Sequence, residues 1–166
     1  LNTIITQIAR TELGVERVVL DPADTAIGSA GSSSASRQTM MTGGAVQLAC
    51  QAVREQLDQL GGLANLDHPL EATRVYHHRV TRKLDENGQG DPHVTFAFAA
   101  ARAVVEVDTD LGLVRVVQLG VVQDVGKALN PESVIGQIEG GSAQGLGLAL
   151  MEEIELADQV GLDVFG

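Results

Sequence analysis

Five glycines fall within the twelve residues Gly136-Gln137-Ile138-Glu139-Gly140-Gly141-Ser142-Ala143-Gln144-Gly145-Leu146-Gly147, a stretch whose flanks otherwise read as one helix. Asn130 can cap that helix, Pro131 suits its first residue, and apolar positions continue through Ile135, Ile138, Leu146, Leu150 and Ile154. Each glycine costs a helix interior about 0.5 to 1 kcal/mol relative to alanine, so the run gives up a few kcal/mol. A return is expected for that loss. Gly136, Gly140, Ala143 and Gly147 share one face, which admits the close approach of either another backbone or a bulky ligand. Gln137 lies one residue along from the stripe, where its amide can donate and accept together.

A second unusual stretch runs from Asp21 to Thr39, with GSAGSSSAS at its centre. Such composition is ordinarily a flexible linker. Here it leads into Gln38 to Leu60, where Val46, Ala49, Val53, Leu57 and Leu60 recur every three or four residues and Gly61-Gly62 closes a long amphipathic helix. The turn Ser32-Ser33-Ser34-Ala35-Ser36-Arg37-Gln38-Thr39 therefore brings hydroxyls, a guanidinium and the unpaired N–H groups of a helix start together. Proteins hold phosphate in this way without a broadly basic surface. A helix cap with a solvated loop is the plainer reading of the same residues.

The remaining pattern predicts a helix ending at Leu13 with Gly14 as its cap, strands at Arg17 to Leu20 and Thr73 to Thr81, and a turn from Asp85 to Pro92. Val94 to Val107 and Leu113 to Val122 form a hairpin around Asp108 to Gly112. This order implies an α+β fold: a two-layer mixed sheet with long helices, read as a single domain over residues 1–166. The net charge of −11 argues against nucleic acid as a partner, and 2% aromatic residues leave no stacking platform. No apolar run reaches the roughly 20 residues that a bilayer requires, and no signal peptide opens the chain. The single Cys50 suits the cytoplasm. A start at Leu1 without Met suggests a piece of a longer protein.

Several familiar sites are absent. Gly28-Ser29-Ala30-Gly31 is one residue short of a nucleophile elbow, and Gly120 to Ala128 lacks the spacing and hydroxyl of a P-loop. His77 and His78 are adjacent, His68 and His93 are isolated, and Cys50 has no partner at ligand spacing, so no zinc site is expected. Met40-Met41 reads as core.

In order, the strings GSSSASRQTMMTGGAVQLACQAV, GQGDPHVTFAFAAARAVVEVDTDLGLVRV and QDVGKALNPESVIGQIEGGSAQGLGLALMEE resemble the molybdenum-cofactor subunit of the xanthine dehydrogenase and aldehyde oxidase family. They cover most of Leu1 to Glu153. The resemblance implies part of the second molybdenum-cofactor-binding domain. It also implies contacts to molybdopterin from Ser33, Ser34, Ala35, Ser36, Gln38 and Thr39, with the backbone of Ala35 near molybdenum, and from Gln137 in the second half-site. The likeness is greatest to bacterial purine hydroxylases, in which the pterin commonly carries a cytosine nucleotide, and Arg37 suits that extra phosphate. Such enzymes hydroxylate N-heterocycles or aldehydes with oxygen from water and pass electrons through 2Fe-2S clusters to FAD. The implied partners are the rest of the molybdenum subunit, 2Fe-2S and FAD subunits, and a small heterocyclic substrate, as in purine metabolism.

The departures matter equally. The family's general-base glutamate lies in a string beyond the glycine helix that this chain does not contain, so no catalytic residue is expected here. Glu139, Glu152 and Glu153 do not replace it. The expectation is a fragment that is inactive alone. The alternative is a non-catalytic α+β interaction module whose glycine helix packs against a partner.

Overall fold

The computed structural model describes residues 1–22, 24–27, 31–34, 36–153, 155–156 and 162–163. The chain divides into two units, Leu1–Val94 and Thr95–Gly166.

The first unit is built on two helices. Helix α1, Asn2–Leu13, ends where expected: Gly14 takes the left-handed conformation (φ 67°) and its N–H donates to the Arg10 carbonyl at 2.9 Å. Helix α2, Gln38–Gln59, spans 22 residues. The pair Gly61-Gly62 stops it, with φ 80° and 106°. Gly61 N–H donates to Asp58 and Gly62 N–H to Leu57, both at 3.0 Å, the two bonds of a Schellman motif. The core of this unit is small, with Ala9, Gly43, Cys50 and Ala52 buried. Polar groups tie the same two helices together. Gln47 Nε2 donates to Glu12 Oε1 at 2.7 Å and Arg54 Nη1 to the Glu12 carbonyl at 2.9 Å.

Neither strand expected in this unit forms. Residues 17–20 and 73–81 are extended or irregular, and among the described residues of this unit the strand pairing is a single antiparallel bridge between Arg82 and Asp91. Alternation in a sequence states what a strand would bury and says nothing of a neighbour to complete its ladder. Among the described residues no second strand runs beside either segment, and Val75 and Val80 stay exposed. Segment 70–81 is instead pinned by side chains. Gln56 Nε2 donates to the Glu71 carbonyl at 3.1 Å. The Arg79 guanidinium grips both carboxylate oxygens of Asp91 and donates to the carbonyls of Val94 and His93. The turn it clasps is the one expected: Asp85 Oδ1 accepts from the N–H groups of Asn87 at 2.9 Å and Gln89 at 2.8 Å.

The second unit contains the expected hairpin, β1 at Ala99–Asp108 and β2 at Leu113–Gln123. Asp108 Oδ1 caps the turn by accepting from Asp110 and Leu111, and Gly112 supplies the positive φ of 68°. The register steps between Val104↔Gln118 and Val105↔Val116, leaving Val117 as an inserted residue on β2. Residues 95–98, expected to extend β1, stay outside the ladder. Helix α3, Pro131–Leu150, follows and packs in part on β2. It stops short of Ile154, which lies outside the described residues. A short antiparallel pair, β3 at Glu155–Leu156 with β4 at Leu162–Asp163, ends the described chain.

The fold is α+β, with three helices and a hairpin, and all strand pairing among the described residues is antiparallel. Among them, no helix is long and apolar enough to cross a membrane.

Candidate functional site

The serine loop is organised around a residue that sequence reasoning did not single out. Ser32 accepts from the Ser34 N–H at 3.1 Å through its hydroxyl, which in turn donates to Ser34 Oγ at 2.9 Å. Its carbonyl accepts from Arg37 Nε at 2.9 Å. A serine two residues ahead of another polar residue was the available signal, because short hydroxyl side chains bond the backbone two residues on. Ser36 takes φ 52°, the left-handed region that residues with a Cβ seldom occupy.

Arg37 is the N-cap of α2, and its side chain makes no capping hydrogen bond there. The N–H groups of the first turn and the positive end of the helix dipole therefore open toward the loop. Ser33, Ser34, Ser36 and Thr39 are exposed, and Arg37 and Gln38 are half-buried. Gln38 turns its carbonyl along the helix, accepting from Thr42 Oγ1 at 2.6 Å. Ala35, expected near the metal, lies outside the described residues. Hydroxyls, amide N–H groups and one guanidinium are the kinds of donor suited to an oxygen-rich anion.

Two adjacent glycines set the seat of α2. A Cβ at Gly43 would lie 2.9 Å from Ile8 Cδ1, and one at Gly44 would lie 2.7 Å from Cγ and Cδ2 of Tyr76. Deeper along the helix, burial first and then the charge of Glu12 push the Cys50 thiol above its ordinary value, which favours the neutral form. Among the described residues no three His, Cys, Asp or Glu side chains gather to hold a metal ion.

Gln137 belongs to the second unit. It is exposed on α3, whose start is capped as expected: Asn130 Oδ1 accepts from Ser133 N–H at 2.9 Å, with Pro131 as the first helical residue. A Cβ added at Gly136, Gly140, Gly141 or Gly145 would meet no atom within 4 Å. Among the described residues these four glycine positions are open. At the far end of α3 Glu152 folds back, its Oε1 2.7 Å from where a Gly147 Cβ would stand.

The chain matches the molybdopterin cofactor-binding domain model over residues 1–162. It is 34% identical to an aldehyde oxidoreductase of Megalodesulfovibrio gigas across 75% of its own length and 15% of that protein. It is 30% identical to a xanthine dehydrogenase of Oryza sativa subsp. japonica across 95% of its length and 13% of that protein. With a xanthine dehydrogenase/oxidase of Felis catus it shares 30% identity over its whole length and 14% of the relative's. The chain thus spans 15% or less of the length of these relatives. With a domain model matched over nearly all of its residues, the chain belongs to the molybdopterin cofactor-binding domain family found in xanthine dehydrogenases and aldehyde oxidases.

Proposed function

We propose that this chain is part of the molybdenum subunit of a xanthine dehydrogenase-like hydroxylase and supplies part of its cofactor cradle. The observation that carries this reading is the serine loop leading into an α2 N-terminus that its own N-cap side chain does not cap. Ser33, Ser34, Ser36 and Thr39 offer hydroxyls, Gln38 and Thr39 offer helix-start N–H groups, and Ala35 offers backbone beside the metal. Gln137 contributes its amide from α3. Arg37 meets the phosphate of a cytosine dinucleotide form of molybdopterin. The bound cofactor supplies hydroxylation of a carbon beside a ring nitrogen or in an aldehyde, with water as the oxygen source.

The protein's own share is binding and orientation. Hydrogen bonds fixed by the loop hold the pterin in one pose, and the helix dipole stabilises its phosphate. No residue of this chain is proposed as the general base. Partners carrying 2Fe-2S clusters and FAD take the electrons onward, and the assembly works in the cytoplasm.

Molybdenum and pterin analysis of the protein purified with its neighbouring subunits tests the reading. Stoichiometric metal and pterin are expected there. Residues 1–166 produced alone should retain neither, and should not reduce dye with hypoxanthine or an aromatic aldehyde. A metal-free complex would sink the cofactor reading and favour the interaction module, for which the open glycine face of α3 is the supporting feature.

A further inference from the structure

The glycine pair near the start of α2 is given no part in the cofactor reading above, and Gly44 lies against the one tyrosine of the chain. We infer that Gly44 and Tyr76 are positioning residues: the ring seated on the bare Cα of Gly44 sets where the first turns of α2, and with them the serine loop, stand. This inference rests on the cofactor reading above.

The contact differs from its neighbour. A methyl at Gly43 would meet only the flexible tip of Ile8, which can swing aside. At Gly44 it would meet the half-buried ring itself, at 2.7 Å from Cγ and Cδ2 and 2.9 Å from Cε2. The ring can give way only by changing rotamer or by moving with its backbone, and that backbone is anchored on both sides. Five residues earlier the Glu71 carbonyl is held by Gln56 of α2, and three residues later Arg79 clasps Asp91 and the carbonyls of His93 and Val94. The segment has no strand partner among the described residues, so these side-chain ties, rather than a ladder, fix Tyr76 on the helix. Gly44 stands six residues from Gln38, about 9 Å along the axis at 1.5 Å per residue. A shift of α2 at Gly44 is therefore carried into the loop, because a helix of this length moves as a rigid rod.

The sign of one substitution separates this arrangement from a chance glycine. Alanine in an open helix position stabilises, because it lowers the backbone entropy lost on folding. In the full-length protein, Gly44→Ala is expected instead to lower Tm, as overpacking does. Pterin content of the folded fraction should fall to about half or less, because a displaced supporting element loosens the contacts it carries. Tyr76→Phe, which keeps the ring, should match wild type in both measurements. Tyr76→Ala should lose pterin, and combining it with Gly44→Ala should cost less than the two losses added.

A higher Tm in Gly44→Ala, or strict additivity, would overturn the contact. A lower Tm with full pterin content would reduce the pair to a purely structural role and overturn the positioning claim. Wild-type protein devoid of pterin would instead bring down the cofactor reading, and this inference with it.

Discussion

The Nε–H of Arg37 donates to the carbonyl of Ser32, five residues back along the chain, at 2.9 Å. This bond closes the serine loop in front of α2 and commits one donor of the guanidinium to the protein, so an approaching anion is met by the Nη groups. Lysine would keep the charge without being able to serve both purposes. Arg37→Lys and Arg37→Ala should both speed amide exchange across residues 32–38 by up to about tenfold, the scale of one lost hydrogen bond. Wild-type protection in the lysine variant would show that charge alone matters there.

Gly140→Ala should act in opposite directions in two settings. No atom lies within 4 Å of the new methyl, so residues 1–166 alone should gain about 0.5 to 1 kcal/mol from helix propensity. In the assembled protein the same methyl occupies space that the glycine face leaves for a ligand or neighbour, and pterin content should drop. Gain of stability with no change in pterin would show that the open face contacts neither.

The Arg79 clasp is expected to be an acid-sensitive fastening. Hydrogen bonding from Arg79 holds the Asp91 carboxyl below the usual carboxylate range, with the charges of Arg79, Arg82 and His93 adding to it. A depressed folded-state value means that the clasp contributes above the carboxylate's unfolded value and is lost as pH falls through the folded one. At neutral pH, Asp91→Asn should raise protease cleavage within residues 82–91 roughly severalfold, a modest effect suited to an exposed pair. Wild type should reach the same sensitivity only in strong acid. Equal cleavage of both proteins at neutral pH would remove the clasp from the account.

Cys50 should resist alkylation. Its raised value means that the folded state favours the neutral thiol, a contribution present below the ordinary thiol range and lost as pH rises through the folded value. Iodoacetamide at mildly alkaline pH should therefore label native protein about tenfold more slowly than urea-unfolded protein. Mass spectrometry of the Cys50 peptide reads this directly, and equal rates would contradict its burial.

The helices were legible because their signals are local. Gly14 and the pair Gly61-Gly62 end a helix by backbone conformation, Asn130 with Pro131 begins one through a side-chain cap and a preset φ, and each acts at the expected position. Thr73 to Thr81 misled for the opposite reason: strand alternation depends on a neighbour elsewhere in the chain, and here Arg79 and Tyr76 tie the segment down instead. The serine loop could be read from its hydroxyls and the helix behind it. The role of Ser32 could be read only in part: its hydroxyl bond to Ser34 is local, whereas its carbonyl bond depends on Arg37 folding back across the turn.

The inserted Val117 changes how β2 must be counted. Val116 and Val121, the two half-buried residues of the strand, are separated by an odd number of positions, which in a regular strand sends them to opposite sides. Their partners Val105 and Ala101 are an even number apart on β1, so the bulge restores both to one side. The hairpin thus carries its own frameshift correction. Deleting Val117 would invert one end of the strand against the other, so a length change here is far less neutral than one in the turn at residues 109–112. A relative with one residue fewer in β2 would have to present a different set of side chains.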